Sequence, residues 1–274
     1  MLYSKTYGLQ KETRNYLRRL YTFNRELASS DIADIDNFIK GTKQLGIWQN
    51  MVCWSLRSQQ NIGSGSTVLS FGGLGNFNGT MNNTTTWGSN GIQSAGTSFT
   101  GRINISNEIK KFINYGATIF GVLSNNADDN YGIFLQQDED GNPTYPSLLI
   151  NQVNSTGVIP VVTRNNTRYF QSTRGGAFSA GFSSVAGVIR STSQANFRNG
   201  TLIANETNLN VINPDSQTIS VITAGIAIRG NGPITGGGVT SPISLISTLI
   251  LTNEQIANLH NLYKTTIGKG LGLP

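Results

Sequence analysis

The stretch ANFRNGTLIANETN, Ala195 to Asn208, decides how this chain is read. An Asn199-Gly200 pair stands between two short runs that carry aromatic and branched side chains. Asn and Gly both tolerate positive φ, which a two-residue type I′ turn needs at both central positions. The stretch is therefore expected to be a β-hairpin, and the question becomes what a hairpin supports in a chain so poor in catalytic side chains.

The neighbouring sequence repeats the signal. After Gly46 come short apolar and Thr-rich runs, among them STVLSF, GATIFGVL, GVIPVVT, VAGVIR, TISVITAGIAI and SPISLISTLIL, each separated by clusters of Gly, Asn and Ser. This spacing is that of an antiparallel sandwich or barrel. With 274 residues, 32 glycines and only 12% charged residues, the chain is expected to be mainly β, built on one sizeable core. A second hairpin is expected in GIFLQQDEDGNPTYPSLLI, with Asp138, Glu139, Asp140, Gly141 and Asn142 at its tip. Those acids read as a solvated turn. Ca²⁺ ligation is the alternative, although no spaced D-x-D-x-D-G loop is present.

Helical periodicity is confined to the two ends. KETRNYLRRLYTFNREL is a basic segment, and a second segment opens at Ser29-Ser30-Asp31, where Ser30 can cap the first turn and Ile32, Ile35, Phe38 and Ile39 form an apolar stripe. Near the other end Thr252 and Gln255 stand in capping-box relation, Ile256, Leu259, Leu262 and Ile267 make a buried stripe, and Gly268 supplies a stop. The organisation expected is a helical arm over residues 1–45, followed by a sandwich over 46–274 that ends in a helix.

The net charge of +6 is largely local, since Lys5, Lys11, Arg14, Arg18, Arg19 and Arg25 face only Glu12 and Glu26 in the first thirty positions. That concentration points to an arm docking on an acidic partner surface or, less expected, on nucleic acid, with a plain solvated helix face as the alternative. The docking residues expected are Arg14, Arg18 and Arg19 for charge, with Arg25 as a further candidate, and Tyr16, Leu17, Leu20 and Phe23 for apolar contact. No run of about eighteen apolar residues offers a membrane span, and MLYSKTYGLQKETR lacks a signal-peptide core, so synthesis in a cytoplasm is expected.

Catalytic signals are sparse. Cys53 lies in the apolar MVCWSL and reads as buried, while His260, the only histidine, lies inside the last helix. One Cys and one His leave too few ligands for zinc, and no separated pair of carboxylates suggests a glycosidase. The Gly-rich GSGSTVLSFGGLG and RGNGPITGGG match no phosphate-binding loop. No metal, no cofactor and no catalytic residue is expected, and the chain is expected not to be an enzyme. What remains is a surface of neutral hydrogen-bonding groups with aromatics near loops, a combination that suits sugars; Trp87, Tyr131 and Tyr145 are the candidate glycan-binding residues, with core use as the alternative for each.

Three segments in this order, SDIADIDNFIKGTKQLGIWQNMVCWSL, FRNGTLIAN and LTNEQIANLHNLYKTTIGKGLG, resemble a group of tailed-bacteriophage proteins with a laminin-G-like or concanavalin-A-like jelly roll. In that group an apolar helix and a Gly-x-Trp turn lead into the first strand. The likeness spans about residues 30 to 270. It implies two packed antiparallel sheets and a place in a virion, made in the host bacterial cytoplasm: a head or tail attachment or decoration protein, homo-oligomeric and bound to other virion proteins. A glycan-binding receptor protein of a tail or head fibre and a polysaccharide depolymerase are the alternatives. The resemblance transfers no site residues.

Overall fold

The structure is a computed structural model. It describes residues 7–81, 85–94, 102–106, 108–109, 116–125, 149–152, 158–165, 168–171, 181–190, 193–207, 224–227 and 240–274. Two helices come first, α1 (Lys11–Tyr21) and α2 (Ser29–Gln44), and a 3₁₀ turn, Trp48–Asn50, leads from Gly46 into β1 (Met51–Ser55). Next are β2 (Thr67–Val68), β3 (Gly79–Met81), β4 (Thr85–Thr86), β5 (Ile92–Ser94), β6 (Arg102–Ile105) and β7 (Ala117–Asn125). These are followed by β8 (Leu149–Gln152), β9 (Val158–Asn165), β10 (Arg168–Gln171), β11 (Gly181–Ile189), β12 (Ser193–Arg198) and β13 (Thr201–Thr207). The chain closes with β14 (Ala224–Ala227), β15 (Thr240–Ser241), β16 (Ile243–Ser247) and α3 (Asn253–Thr265).

The strands named here pair antiparallel, and one isolated parallel bridge joins Arg57 to Gly88. A six-stranded sheet has the order β1-β16-β7-β11-β12-β13, and smaller sheets run β14-β6-β3-β2, β10-β9-β8 and β15-β5-β4. The expected class, a mainly β antiparallel sandwich with helices at its ends, is the observed one. In the large sheet the first strand lies beside the last, Met51 opposite Ser247 and Ser55 opposite Ile243, so residues distant in sequence close the body.

The large sheet is buried on both faces from β1 to β12, whereas β13 at its edge is largely exposed. Along β1, Met51 and Cys53 enter a core shared with α1, α2 and α3, while Val52 and Trp54 enter a second core shared with Val68, Met81, Ile103 and Ile105 of the small sheet. All five β1 residues are therefore buried, and a run without polar alternation is what a strand covered on both sides requires.

The hairpin expected at Asn199-Gly200 is present, formed by β12 and β13. Asn199 has φ 48° and Gly200 φ 77°, the two positive angles of a type I′ turn, and Arg198 pairs with Thr201 across it. The tip rests on α3: a Cβ added to Gly200 would lie 3.1 Å from the Cα of Ala257 and 3.3 Å from the Cβ of His260. The turn thus couples the sheet edge to the closing helix. Gly200→Val meets both the unfavourable φ and this contact, and should lower unfolding stability by about 1–3 kcal/mol, seen as a lower urea midpoint at unchanged m.

At the helix starts the observed caps differ in part from expectation. Thr252 and Gln255 form the expected capping box on α3. The N-cap of α2 is Ala28 without a side-chain bond, so Ser30 sits inside the first turn and does not cap it. Among the described residues, no helix is long and apolar enough to cross a membrane.

Candidate functional site

The amphipathic stripe of α1 is turned inward. Tyr16, Leu17 and Leu20 are 1%, 7% and 0% exposed and belong to the same core as Ile35, Phe38 and Ile39 of α2. The Tyr16 hydroxyl donates to the Gln60 carbonyl at 2.9 Å, and its ring meets Phe71 edge-on at 5.0 Å. Asp36 on α2 accepts the Gln10 backbone N–H at the start of α1 at 2.8 Å, and Lys43 pairs with Glu12. The first helix is therefore packed as part of the body. This corrects the expectation that Tyr16, Leu17 and Leu20 meet a partner: an apolar stripe reads the same in sequence whether its own chain or another covers it.

Arg19 is corrected in the same way. Its guanidinium donates to the Ser70 carbonyl and to Asn76 Oδ1, each at 2.7 Å, and also to Asn78 Oδ1. Arg25 reaches the Asn61 and Ser58 carbonyls, at 3.3 and 2.8 Å. A planar donor fork engaged by neutral oxygens of its own chain fastens the 58–78 segment to α1. Arg14 is half-buried and donates to the Leu9 carbonyl at 2.6 Å. Of the expected docking set, Arg18 and Phe23 face solvent, Phe23 at 45% exposure, and beside them in sequence stands Tyr21 at 54%, which the reading of the arm did not single out.

Of the expected glycan-binding residues, Tyr131 and Tyr145 lie outside the described residues, as does the acidic turn Asp138–Asp140. Trp87 is described, and its setting is well defined. Its ring packs partly on the second core, and its indole N–H donates to the Gly65 carbonyl at 3.0 Å. The loop that carries it is tied down by backbone. Ser58 N–H donates to the Gly88 carbonyl at 2.9 Å, Gly91 N–H reaches the same carbonyl at 3.2 Å, and Arg57 Nε–H donates to the Ser89 carbonyl at 2.9 Å. Gly91, at φ 134°, lies so close to Ser241 and Pro242 that a side chain there would overlap their backbone. Around the half-buried ring, Ser64, Gly65, Ser66, Thr86, Ser89 and Asn90 are exposed. The result is a fixed aromatic surface flanked by neutral donors and acceptors.

Arg57, the cation next to this loop, points inward. Only 8% exposed, it sends one guanidinium N–H group to the Ile267 and Lys269 carbonyls, at 2.9 and 3.0 Å, joining the loop to the segment after α3. No sequence rule marks such a residue, because two of its acceptors are carbonyls more than two hundred positions away.

His260 lies under the hairpin tip. Its Nδ1 is 2.7 Å from Ser184 Oγ, and its Nε2 is 3.1 Å from the Pro274 carbonyl. That carbonyl can only accept, so Nε2 carries the proton and Nδ1 accepts from the Ser184 hydroxyl. Both residues are buried, at 4% and 1% exposure, and the pair acts as an internal strut. Burial holds the His260 pKa below its ordinary value, opposed by the bond to Pro274 and assisted by Lys264. The unfolded chain then binds more protons just below the ordinary histidine value of about 6.5. The stabilisation is complete above that pH and declines as the pH falls toward the lowered folded value. His260→Gln should flatten this slope in urea midpoints compared between pH 5 and 7.5.

The Cys53 thiol is fully buried, and burial pushes its pKa well up, consistent with the packing role read from sequence. Among the described residues, no group of three His, Cys, Asp or Glu side chains is placed to hold a metal ion.

No protein-family model and no curated protein matches the chain. Solved structures do resemble it. Trypanosoma rangeli sialidase in complex with sialic acid aligns with a TM-score of 0.54 at 13% identity, over 80% of this chain and 33% of the sialidase chain. The same enzyme as a covalent intermediate with 2,3-difluorosialic acid aligns at 0.54 and 11%, over 87% and 39%. The botulinum neurotoxin serotype D binding domain aligns at 0.54 and 12%, over 79% of this chain and 52% of that one. This chain thus spans about two-fifths of the sialidase or less and about half of the neurotoxin domain. At these identities the likeness establishes the β-sandwich fold.

These neighbours correct the expectation that the chain is not an enzyme. Sialidases are enzymes, and a sandwich found within their structures gives no ground for excluding catalysis. The exclusion rested on a lone histidine and few acids, and such an inventory cannot see a site assembled from distant loops.

Proposed function

We propose that this chain is a glycan-recognising β-sandwich carried by a larger particle, with Trp87 as its sugar platform. One observation carries the reading: an indole ring held half-exposed by its own N–H bond to Gly65, on a loop fixed at several backbone points, among exposed Ser, Thr, Gly and Asn. Sugars present C–H groups on one face and hydroxyls at the edge, and a rigid aromatic beside neutral hydrogen-bonding groups matches both. Rigidity matters because little ordering entropy is then lost on binding.

The particle is a tailed-phage virion, in which the chain is an attachment or decoration component. Support comes from the ordered resemblance of α2 with its Gly46-Ile47-Trp48 turn, the β12–β13 hairpin and α3. Attachment to other virion proteins, or to further copies of the chain, uses the exposed end of α1, where Arg18, Tyr21 and Phe23 remain after the inner stripe is buried. Two experiments test the reading. A glycan array with the full chain should give binding, and Trp87→Ala should remove it. The protein should also co-purify with intact virions, while Arg18→Glu combined with Phe23→Ser should impair incorporation and leave glycan binding intact. Absence from virions contradicts the attachment part; absence of any glycan binding contradicts the recognition part.

A further inference from the structure

We infer that the Trp87 site takes an uncharged pyranose and discriminates against sugars bearing a carboxylate. The inference rests on the glycan-binding reading above and adds the chemical class of the ligand.

The first observation is in the sequence. From Ser58 to Gly101 there is no Asp, Glu, Lys, Arg or His. This run contains Trp87 and the segment around Gly65 that holds it. Every side chain that these two loops can offer a ligand is therefore neutral.

The second observation concerns three arginines, Arg57, Arg19 and Arg25, that bond to the run. Arg57 immediately precedes it, and its described bonds go to the Ser89, Ile267 and Lys269 carbonyls beneath the loop. Arg19 and Arg25 also reach into the run, and their described bonds go to Ser70, Asn76, Asn78, Asn61 and Ser58. These guanidinium groups are engaged in fastening the chain to itself. A ligand carboxylate resting on the Trp87 loops would lose water without gaining a charged donor from them, and an anion left without charged partners binds poorly.

The third observation is what Trp87 offers. Its one hydrogen-bond donor is already engaged with Gly65, so the ring contributes only its face. An aromatic face favours the C–H side of a pyranose, while exposed Ser64, Ser66, Thr86, Ser89 and Asn90 supply neutral partners for hydroxyls. Affinity built from stacking and neutral hydrogen bonds should respond little to salt, unlike recognition by charge.

The test uses the full chain and matched probes: lactose against 3′-sialyllactose, and gluco-, manno- and galacto-oligosaccharides against oligogalacturonate. Trp48 and Trp54 are buried and Trp87 is half-buried, so the iodide-quenchable part of the intrinsic fluorescence reports mainly on Trp87 without any substitution. The expected result is that at least one neutral oligosaccharide shields Trp87 from iodide. Its affinity should change less than twofold between 50 and 500 mM NaCl and exceed that of its carboxylated counterpart at least tenfold. Trp87→Ala should weaken binding at least tenfold, and Trp87→Phe should retain most of it. Preference for the carboxylated probes with strong salt dependence overturns the ligand class and leaves glycan recognition standing. Glycan binding without shielding of Trp87 overturns the site. Failure of every probe in the panel overturns this inference, and a broad glycan array then decides whether glycan recognition falls with it.

Discussion

Deleting residues 1–28 is expected to leave a chain that does not fold stably, rather than an intact sandwich lacking its arm. The deletion removes Tyr16, Leu17 and Leu20 from the main core and uncovers Phe38 and Phe71, the latter packed against the Tyr16 ring. Fully burying a large apolar side chain contributes about 1.5–3 kcal/mol, so three together approach the 5–15 kcal/mol of a typical domain's whole stability. The bonds from Tyr16, Arg19 and Arg25 to the segment beneath α1 are lost as well. A milder form of the test is Leu20→Ala, which should cost about 2–5 kcal/mol in urea unfolding, because Leu20 is fully buried between helix and sheet. A truncated chain with unchanged circular dichroism and an unchanged midpoint would show that α1 is an appendage after all.

Asn61→Ala should be comparably damaging, although it removes only a small polar group. Asn61 is completely buried, and its amide nitrogen donates to the Ser55 and Leu69 carbonyls at 2.7 and 2.9 Å. Its oxygen accepts the Ile62 and Leu69 N–H groups at 2.8 and 3.0 Å. One side chain thus satisfies four backbone groups and joins the end of β1 to the segment after β2. Alanine would leave all four buried and unpaired. At about 1–3 kcal/mol for each such group, less what entering water restores, the loss is on the order of 4 kcal/mol. Asn61→Asp should not rescue it, since a carboxylate cannot donate to two carbonyls and would bury a charge. Because Ser58, three residues away, fastens the Trp87 loop at Gly88, partial unfolding here should also weaken any ligand bound at Trp87.

The parts legible in the sequence are those fixed by local chemistry. Asn199-Gly200 specifies its turn through two backbone angles, and Thr252 with Gln255 specifies the start of α3 through two short-range bonds. The alternating and apolar runs were enough to give the class of fold. What the sequence conceals is which surface an apolar stripe meets. Tyr16, Leu17 and Leu20 have helical spacing, and that spacing is compatible with a partner or with the chain's own sheet. The arginines are hidden for a related reason: Arg19, Arg25 and Arg57 bond to carbonyls and amides, which every segment possesses, so no pattern announces them. Trp87 could be singled out as an aromatic in a polar loop, whereas the bond to Gly65 that fixes its ring appears only in three dimensions.

That Trp87 is the surface on which a neutral sugar rests can be checked in a crystal structure of the full chain with the tightest neutral oligosaccharide. A pyranose ring lying against the Trp87 indole, its hydroxyls bonded to the loops around Gly65 and Gly88, is the predicted result. A sugar bound elsewhere on the sandwich, with Trp87 bare, would contradict it.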